Sequence, residues 1–293
     1  MTPPVVCLDM DRTVIYSPNA LNLTLPDVLA PRLLCVELYR KRPMSFMTEQ
    51  AAADLIALGQ LSTVVPTTTR TPAQFARVHL PGPIGKYVIA SNGGHLLVDG
   101  VSDRAWQQRV ATALSGCAPL TEVRRHLRTE SSRPEVAACF ETLRVASDMF
   151  VYAVVDRAEL PAGWVQDLTE WSAARGWVTS LQGRKIYVLP QSLTKTAAAA
   201  EIMARTGSQT LLAAGDSLLD GDLLRSADLA IRPDHGELAE ADLRAEHLCV
   251  TKATGVLAGE EILRWMRLRV EELTGEADGR HEVVSAPRYG GAE

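Results

Sequence analysis

The sequence predicts an α/β protein in which a doubly wound parallel sheet is built from both ends of the chain. Three observations lead to this prediction. Short apolar runs alternate with helical patterns at both ends, which is typical of a parallel sheet. The middle of the chain instead pairs neighbouring strands through tight turns, which indicates an inserted α+β unit. Polar clusters follow the predicted strands, where open parallel sheets bind their ligands.

The N-terminal part is predicted to supply the first strands of the sheet. Apolar runs rich in β-branched residues indicate strands at residues 5–8, 33–38, 62–65 and 87–90. Thr48 is a suitable N-cap for a helix through residues 51–58, which Gly59 is expected to end. A further helix is expected to begin near Pro72.

The middle of the chain has a different pattern. Its expected elements are a helix at 105–114, strands at 143–146 and 149–155, a helix at 164–174, and strands at 177–181 and 185–189. The last two strands would form a hairpin around Gly183. Trp164, Trp171 and Trp177 are expected to lie in the core of this unit.

The C-terminal part returns to alternating strands and helices. Thr194 is expected to open an alanine-rich helix that Gly207 ends. The remaining expected elements are strands at 210–214, 229–231 and 248–250 and helices at 236–243 and 255–273. The chain thus divides into a core (residues 1–96 and 188–274), an inserted domain (97–187) and a tail at 275–293, whose composition indicates disorder.

Composition narrows the functional classes. The 293 residues carry a net charge of −5 with both signs mixed, which argues against a nucleic-acid-binding surface. No apolar run approaches the ~20 residues needed to span a bilayer, and no signal peptide is visible. We therefore expect a cytoplasmic protein without a membrane partner. Oligomeric state stays open.

The five cysteines form no CxxC pair and are expected to be buried free thiols.

Two carboxylates follow the first predicted strand. Asp9 and Asp11 can converge on one point in the turn, where they repel each other unless a cation or a proton lies between them. One arrangement that uses this has Asp9 attacking phosphorus while Mg²⁺ screens the charge, with Asp11 as general acid and base. Alone the pair is a weak signal, because acidic pairs are common in turns.

A second acidic pair follows the strand at 210–214. Asp216 and Asp220 can face one way across a turn, and such hard oxygen ligands suit Mg²⁺. The alternative is that Asp216 caps a helix and Asp220 is solvated. Asp222, close by, is expected at the surface.

Hydroxyls and one cation complete the polar clusters. Thr67, Thr68 and Thr69 precede a predicted helix, where hydroxyls and backbone N–H groups can bind an anion; the alternative is ordinary capping. Lys195 lies at the start of a helix, where the dipole disfavours a cation. This suggests an anionic partner for Lys195, although most lysines at such positions are solvated.

The order of these motifs resembles the haloacid-dehalogenase-like (HAD) superfamily. The motifs are DxDxT at 9–13, Thr-x-Arg at 68–70, Lys195, and Gly-Asp-x-x-x-Asp at 215–220, and the resemblance covers about residues 5–270. It implies a Rossmann-like HAD core. It also implies that Asp9 is the nucleophile of an aspartyl-phosphate and that Asp11 is the general acid/base, with its backbone carbonyl on Mg²⁺.

The resemblance assigns the other motif residues as well. It implies that Thr68 binds the transferring phosphoryl group and that Lys195 balances the charge on Asp9 and the phosphate. Asp216 would be the principal metal carboxylate, and Asp220 would support the metal directly or through water. Because dehalogenase members lack the second aspartate, Asp11 favours phosphate chemistry.

The insertion lies between the second and third motifs, where HAD proteins carry a C2 cap. Its helix–strand–strand pattern resembles the C2B caps of Cof-type proteins and of sucrose and mannosylglycerate-phosphate phosphatases. Asn92 and Gly93 resemble the point where the core chain enters such caps. The candidates for substrate binding are Thr69, Arg70, Asn92, Gly93, Arg184 and Lys185. A weaker resemblance is to HAD proteins encoded beside tellurite-resistance genes.

Two departures from the family pattern stand out. The usual glycine of DxDGT is Arg12, which either adopts an ordinary backbone conformation or reaches the substrate; we favour the first. The first two motifs are also unusually far apart, and the extra residues 19–43 are either a flap over the site or a surface excursion.

We therefore expect a Mg²⁺-dependent phosphatase acting on a small phosphorylated metabolite, such as a sugar or nucleotide-like phosphate. One alternative is a phosphomutase, which would need a bisphosphate activator. The other is a non-catalytic regulatory protein, against which the intact set of carboxylates argues.

Overall fold

The structure, a computed structural model, describes residues 2–275. The predicted disordered tail therefore lies outside the described residues, apart from Gly275. The described chain forms fourteen strands: β1 (Val5–Asp9), β2 (Leu33–Tyr39), β3 (Arg42–Thr48), β4 (Thr63–Thr67), β5 (Tyr87–Ala90), β6 (His95–Val98), β7 (Val101–Ser102), β8 (Phe140–Ala146), β9 (Phe150–Val155), β10 (Trp177–Gln182), β11 (Lys185–Pro190), β12 (Leu211–Ala214), β13 (Leu229–Arg232) and β14 (Leu248–Val250).

Ten α-helices connect and cover these strands: α1 (Glu49–Leu61), α2 (Pro72–Phe75), α3 (Arg104–Leu114), α4 (Leu120–Glu130), α5 (Pro134–Ala137), α6 (Trp164–Ala173), α7 (Lys195–Thr206), α8 (Gly221–Ser226), α9 (Glu237–Glu240) and α10 (Val256–Thr274). Short 3-10 turns lie at Pro18–Ala20, Asp27–Leu29, Ser91–Gly93, Arg157–Glu159 and Leu218–Asp220. None of the described helices is long and apolar enough to cross a membrane.

The core sheet confirms the predicted doubly wound architecture. Its eight strands lie in the order β14-β13-β12-β1-β4-β5-β6-β7, and those from β14 to β5 are parallel. Successive side chains of β1 point to opposite faces, as a strand requires. Val6 and Leu8 pack with α1 and α10 on one face, and Val5 and Cys7 pack on the other face with α7 and α8. Both faces are covered, which explains the unbroken apolar runs.

The inserted domain is an antiparallel sheet in the order β10-β11-β9-β8, with α3, α4 and α6 beside it. Trp164 and Trp177 are buried in its core, and Trp171 packs partly buried against it. Strands β6 and β7 extend the core sheet, and all of β11 belongs to the cap sheet. The domain boundaries at 97 and 187 stay a prediction.

Several local expectations differ from the structure. Helix α1 continues past Gly59 to Leu61, so that glycine does not end it. The sequence does not predict helix α4, because Val123 and Leu127 are its only fully buried apolar side chains. Strand β3 was also not predicted; it pairs with β2 in a hairpin that packs on α1 and α10.

The cysteines are all free, but two are exposed and one is only partly buried. Cys7 and Cys139 are buried, Cys117 is intermediate, and Cys35 and Cys249 are exposed. The expectation of buried thiols is wrong for Cys35 and Cys249. Their strands, β2 and β14, lie at sheet edges, where an apolar sequence is not matched by cover on both faces.

Candidate active site

The carboxyl ends of neighbouring core strands bring the predicted motifs together. β1 ends at Asp9, β4 ends at Thr67, and the turn after β12 carries Asp216. The three strands are adjacent, with β1 in the middle, and all are parallel. Because the chain continues to opposite sides of β1, a crevice forms at this edge.

Asp9 is a buried carboxylate held by two donors. Lys195 Nζ donates to its Oδ1 over 2.6 Å, and Thr13 Oγ1 donates to its Oδ2 over 3.0 Å. Burial is the main reason that the pKa of Asp9 rises to about 7; Lys195 opposes this rise, and Asp220 adds to it. The carboxylate is therefore fixed in direction and poorly hydrated, as an attacking oxygen should be.

Lys195 is the counter-charge of this site. Its side chain is only 1% exposed, and Nζ lies 2.6 Å from Asp9 and 2.5 Å from Asp220. Burial alone would lower the pKa of Lys195, but Asp220 and Asp9 outweigh burial and raise it. Thr194 caps α7 by accepting from Ala197 N–H over 3.2 Å, which places Lys195 at the first helical residue. The anionic partner expected for this lysine is thus a pair of aspartates.

Three carboxylates form a compact acidic cluster. One oxygen each of Asp9, Asp216 and Asp220 lies within 4.8 Å of the others. Burial, followed by the charges of Asp9 and Asp220, raises the pKa of Asp216 well above its ordinary value. The charge on this cluster is incompletely balanced by the protein, so the site is suited to a divalent cation with oxygen ligands.

Asp220 also shapes the turn that carries Asp216. Its Oδ2 accepts from the Ser217 N–H over 3.0 Å and from the Ser217 hydroxyl over 2.7 Å. A side chain at Gly215 would collide with Asp220, so only glycine fits there.

The alternative, that Asp216 caps the helix and Asp220 is solvated, does not hold, because Ser217 is the cap and Asp220 is buried. Asp222 is exposed, as expected.

Asp11 is bound by Arg70. The guanidinium donates from Nε and from Nη2 to the two carboxylate oxygens. Burial would raise the pKa of Asp11, but Arg70 outweighs burial and lowers it. In this structure Arg70 binds Asp11 and Glu37, and its contact with substrate stays a prediction.

Glu37 is a site residue that lies outside every motif of the sequence. It lies in β2 and is only 3% exposed. It accepts from Arg70 Nη1 over 2.8 Å, from Arg77 Nη2 over 3.2 Å and from the Ser45 hydroxyl over 2.7 Å. A lone glutamate in an apolar strand was the available signal. Part of the extra segment 19–43 is therefore packed against the site and is not a free surface excursion.

The second motif lies against the hinge to the cap. Thr68 is buried, and its hydroxyl accepts from the Arg70 N–H over 3.1 Å, while Thr69 is buried beside it. Asn92 donates from Nδ2 to Leu193 O over 2.7 Å, and Gly93 packs against Thr194 with no room for a side chain. The structure thus gives Asn92 and Gly93 contacts that join the two core–cap connections. Their contact with substrate stays a prediction.

Arg12 does not adopt an ordinary backbone conformation. Its φ is +66°, in the left-handed region that favours glycine, so the favoured interpretation was wrong. The turn therefore has a conformation that glycine adopts readily, although the residue is arginine. The Arg12 side chain, 39% exposed, lies with Nε 3.4 Å from Asp216 Oδ2.

The cap lies over this crevice and is tied to the core. Glu237 of α9 accepts from the Ser180 hydroxyl over 2.8 Å and from the Leu181 N–H over 2.9 Å, both on β10. It also accepts from the Leu218 N–H, in the acidic turn. No motif in the sequence points to Glu237. In the adjoining hairpin, Arg184 pairs with Glu141 on the cap, and Lys185 acts electrostatically on Asp11.

Comparison with known proteins identifies the fold. No protein-family model matches the chain, and no curated protein matches it in sequence. Among solved structures, the sucrose-phosphatase from Synechocystis, determined with sucrose and phosphate, matches with a TM-score of 0.60 at 13% identity, over 91% of this chain and 98% of that one.

Two other solved structures give the same result. The C-terminal domain of trehalose-6-phosphate phosphatase from C. albicans matches with a TM-score of 0.54 at 10% identity, over 92% of this chain and 93% of that one. A HAD subclass IIB sugar phosphatase matches with a TM-score of 0.54 at 11% identity, over 91% and 98%. The chain therefore has the fold of HAD phosphatases with a C2-type cap. Nothing in these comparisons supports the resemblance to proteins encoded beside tellurite-resistance genes.

Proposed function

We propose that this protein is a Mg²⁺-dependent phosphomonoester hydrolase that acts on a small phosphorylated metabolite through an aspartyl-phosphate. The observation that carries the proposal is the placement of Asp9. It lies buried between Lys195 and the carboxylates of Asp216 and Asp220, at the crevice of a HAD-type fold.

The donor set fits Mg²⁺. Asp9, Asp216 and Asp220 offer carboxylate oxygens within 4.8 Å of one another, and no sulfur or imidazole ligand from the described part of the chain belongs to this cluster. These three residues, with the backbone carbonyl of Asp11, would hold the ion. When bound, Mg²⁺ would supply positive charge that neutralises the phosphate oxygens.

The first chemical step belongs to Asp9. Thr13 and Lys195 hold its carboxylate, from which one oxygen attacks phosphorus and forms the Asp9 O–P bond. The ester P–O bond breaks, and Asp11 donates a proton to the leaving oxygen. The Thr68 hydroxyl, buried at the crevice, can donate a hydrogen bond to a phosphoryl oxygen.

The second step regenerates Asp9. Water attacks phosphorus and gives a proton to the Asp11 carboxylate. The Asp9 O–P bond then breaks, and inorganic phosphate is released. The structure corresponds to the ionised form of Asp11, because Arg70 binds both of its oxygens and lowers its pKa. Arg70 therefore favours the base role, and protonation of Asp11 requires this ion pair to loosen.

Phosphate release tests the proposal. Purified protein is incubated with a panel of sugar phosphates, nucleotides and an aryl phosphate, with Mg²⁺ or with EDTA. We expect turnover that EDTA abolishes and that Asp9→Asn abolishes while the variant stays folded. Absence of release across the panel, or full activity of Asp9→Asn, contradicts the proposal.

A further inference from the structure

Arg12 has a strained backbone conformation, and a hydrogen bond from His235 supports it. Its φ of +66° costs an L-residue about 1 kcal/mol relative to glycine. The Gly255 N–H donates to His235 Nδ1 over 3.3 Å, so His235 carries its proton on Nε2 and donates it to Arg12 O over 2.8 Å. A strained residue that is supported by the fold in this way indicates a role for its side chain.

The Arg12 side chain spans from the core to the cap. Nε lies 3.4 Å from Asp216 Oδ2. Nη1 lies 3.9 Å from the position that a Cβ would take on Gly183, at the turn of the β10–β11 hairpin. The guanidinium is thus at the crevice between the acidic cluster and the cap turn, and it is partly open to solvent.

Lys185 approaches the same crevice from the cap. It is the first residue of β11, two positions after Gly183, and its Nζ lies 5.8 Å from the centre of the Tyr152 ring. Its charge acts on Asp11 and on Arg70. Within residues 2–275, Lys185 makes no ion pair with a carboxylate. Lys185 is an exposed residue, and without a carboxylate partner its charge is available to a ligand.

The two other cations at the crevice already have carboxylate partners. Lys195 is committed to Asp9 and Asp220, and Arg70 to Asp11 and Glu37. Arg12 has Asp216 as its partner, and a cation held by Asp216 would compete with that ion pair. With the metal site filled, neither Arg12 nor Lys185 would have a carboxylate partner among residues 2–275.

We propose that the substrate carries a second anionic group, a carboxylate or a second phosphate, which binds between Arg12 and Lys185. This inference rests on the proposed function. A sugar monophosphate with no other charged group would not fit this site as well, because it offers Arg12 no second anionic group to pair with. Charge-assisted hydrogen bonds to Arg12 would orient the part of the molecule beyond the scissile phosphate.

Matched substrates test the inference. 3-Phosphoglycerate and glycerol 3-phosphate have the same carbon chain and differ in a carboxylate. Glucose 1,6-bisphosphate and glucose 6-phosphate differ in a second phosphate. In at least one pair, we expect the wild-type kcat/KM to be about tenfold higher for the member that carries the second anionic group. The pair that shows the preference identifies the anion. Equal values within both pairs overturn the inference while the proposed function stands.

The variant Arg12→Gly restores the family residue and relieves the strain. We expect this variant to keep its thermal midpoint and its rate on the member without the second anionic group. We expect it to lose the roughly tenfold preference for the member that carries this group. Arg225→Ala removes an exposed arginine that pairs with Asp222, and it should keep the preference. If Arg12→Gly keeps the preference, or instead lowers the thermal midpoint, Arg12 has a structural role and the inference is wrong.

Binding to Asp9→Asn protein, measured by calorimetry, gives a second readout without turnover. In the pair that shows the preference, the member with the second anionic group should bind about tenfold more tightly than the member without it. Arg12→Gly in the same background should remove this difference in affinity. Equal binding contradicts the inference. If no ester of any kind is hydrolysed by the wild-type protein, the proposed function fails, and the inference fails with it.

Discussion

Arg70 binds both carboxylate oxygens of Asp11, with Nε and Nη2 each donating over 2.7 Å. Its remaining nitrogen, Nη1, donates to Glu37 over 2.8 Å. The proposed acid/base residue is therefore connected through one arginine to a hairpin outside the core sheet. Buried ionic networks of this kind are costly to break at one member, because the partners are left charged and unpaired.

Glu37→Gln tests this network. Gln keeps the shape but removes the charge that Arg70 and Arg77 share, so we expect a loss of roughly 2–4 kcal/mol in the free energy of unfolding. The kcat should also fall, because Arg70 loses its fixed position. Ser45→Ala removes one neutral donor to Glu37 and should cost only about 1 kcal/mol. Urea denaturation checks this; equal costs for the two variants would refute the network.

Lys195→Met removes the buried counter-charge of the site. Asp9 and Asp220 would then face each other without a cation, so kcat should fall by about 10²–10³-fold. Without added metal, the free energy of unfolding should fall by roughly 3–5 kcal/mol. Mg²⁺ should restore part of this stability. A variant with near wild-type kcat would show that Lys195 is not part of the chemistry.

Asp9→Asn should change how stability depends on pH. The pKa of Asp9 is about 7 in the folded protein and 3.8 without the fold, so between these values the folded state binds more protons than the unfolded state. Stability therefore falls as pH rises through this window. In EDTA, Asp9→Asn should be more stable than wild type at pH 8 by roughly 1–3 kcal/mol, and the gap should close toward pH 4. A constant gap from pH 4 to pH 8 would contradict the raised pKa.

Asp216→Asn tests the metal site. Mg²⁺ at a hundredfold excess over its Kd should add about 2.7 kcal/mol to the wild-type free energy of unfolding. We expect Asp216→Asn to lose this gain and the turnover. Asp222→Asn, an exposed carboxylate in the same stretch of chain, should keep both. Thermal unfolding with Mg²⁺ and with EDTA measures the effect. An undiminished Mg²⁺ gain in Asp216→Asn would rule out this ligand.

Glu237→Ala tests the contact between cap and core. It removes the acceptor of the Leu181 and Leu218 N–H groups, so amide exchange at these two residues should become roughly tenfold faster. KM should rise, because the cap turn is less well held. Ser180→Ala removes one of the three donors and should have a smaller effect. Unchanged exchange at Leu181 would show that the cap does not depend on Glu237.

Much of the fold could be predicted because it follows from local patterns. The apolar run ending at Asp9, the capping threonine before Lys195 and the glycine after α7 each specify a boundary within a few residues. The elements that were missed lack such signals. Strand β3 contains Pro43, and helix α4 has many polar residues, so tertiary packing rather than periodicity makes them regular.

The candidate site could be predicted only in part, for a related reason. Motif residues lie at strand ends, and a parallel topology alone brings strand ends together. The residues that hold the motifs in place are distant in sequence from their partners. Glu37 lies 33 positions from Arg70, and Glu237 lies 57 positions from Ser180. His235 and Arg12 are 223 positions apart.

The sequence by itself determined the α/β class, the inserted cap and the identity of the acidic and cationic motif residues, because periodicity and residue chemistry are local properties. Only the tertiary structure decided which charges are paired. It showed that Arg70 binds Asp11 and that Arg12 keeps a glycine-like backbone beside Asp216. The energy of a buried charge depends on every neighbour within a few ångströms, and those neighbours come from distant parts of the chain.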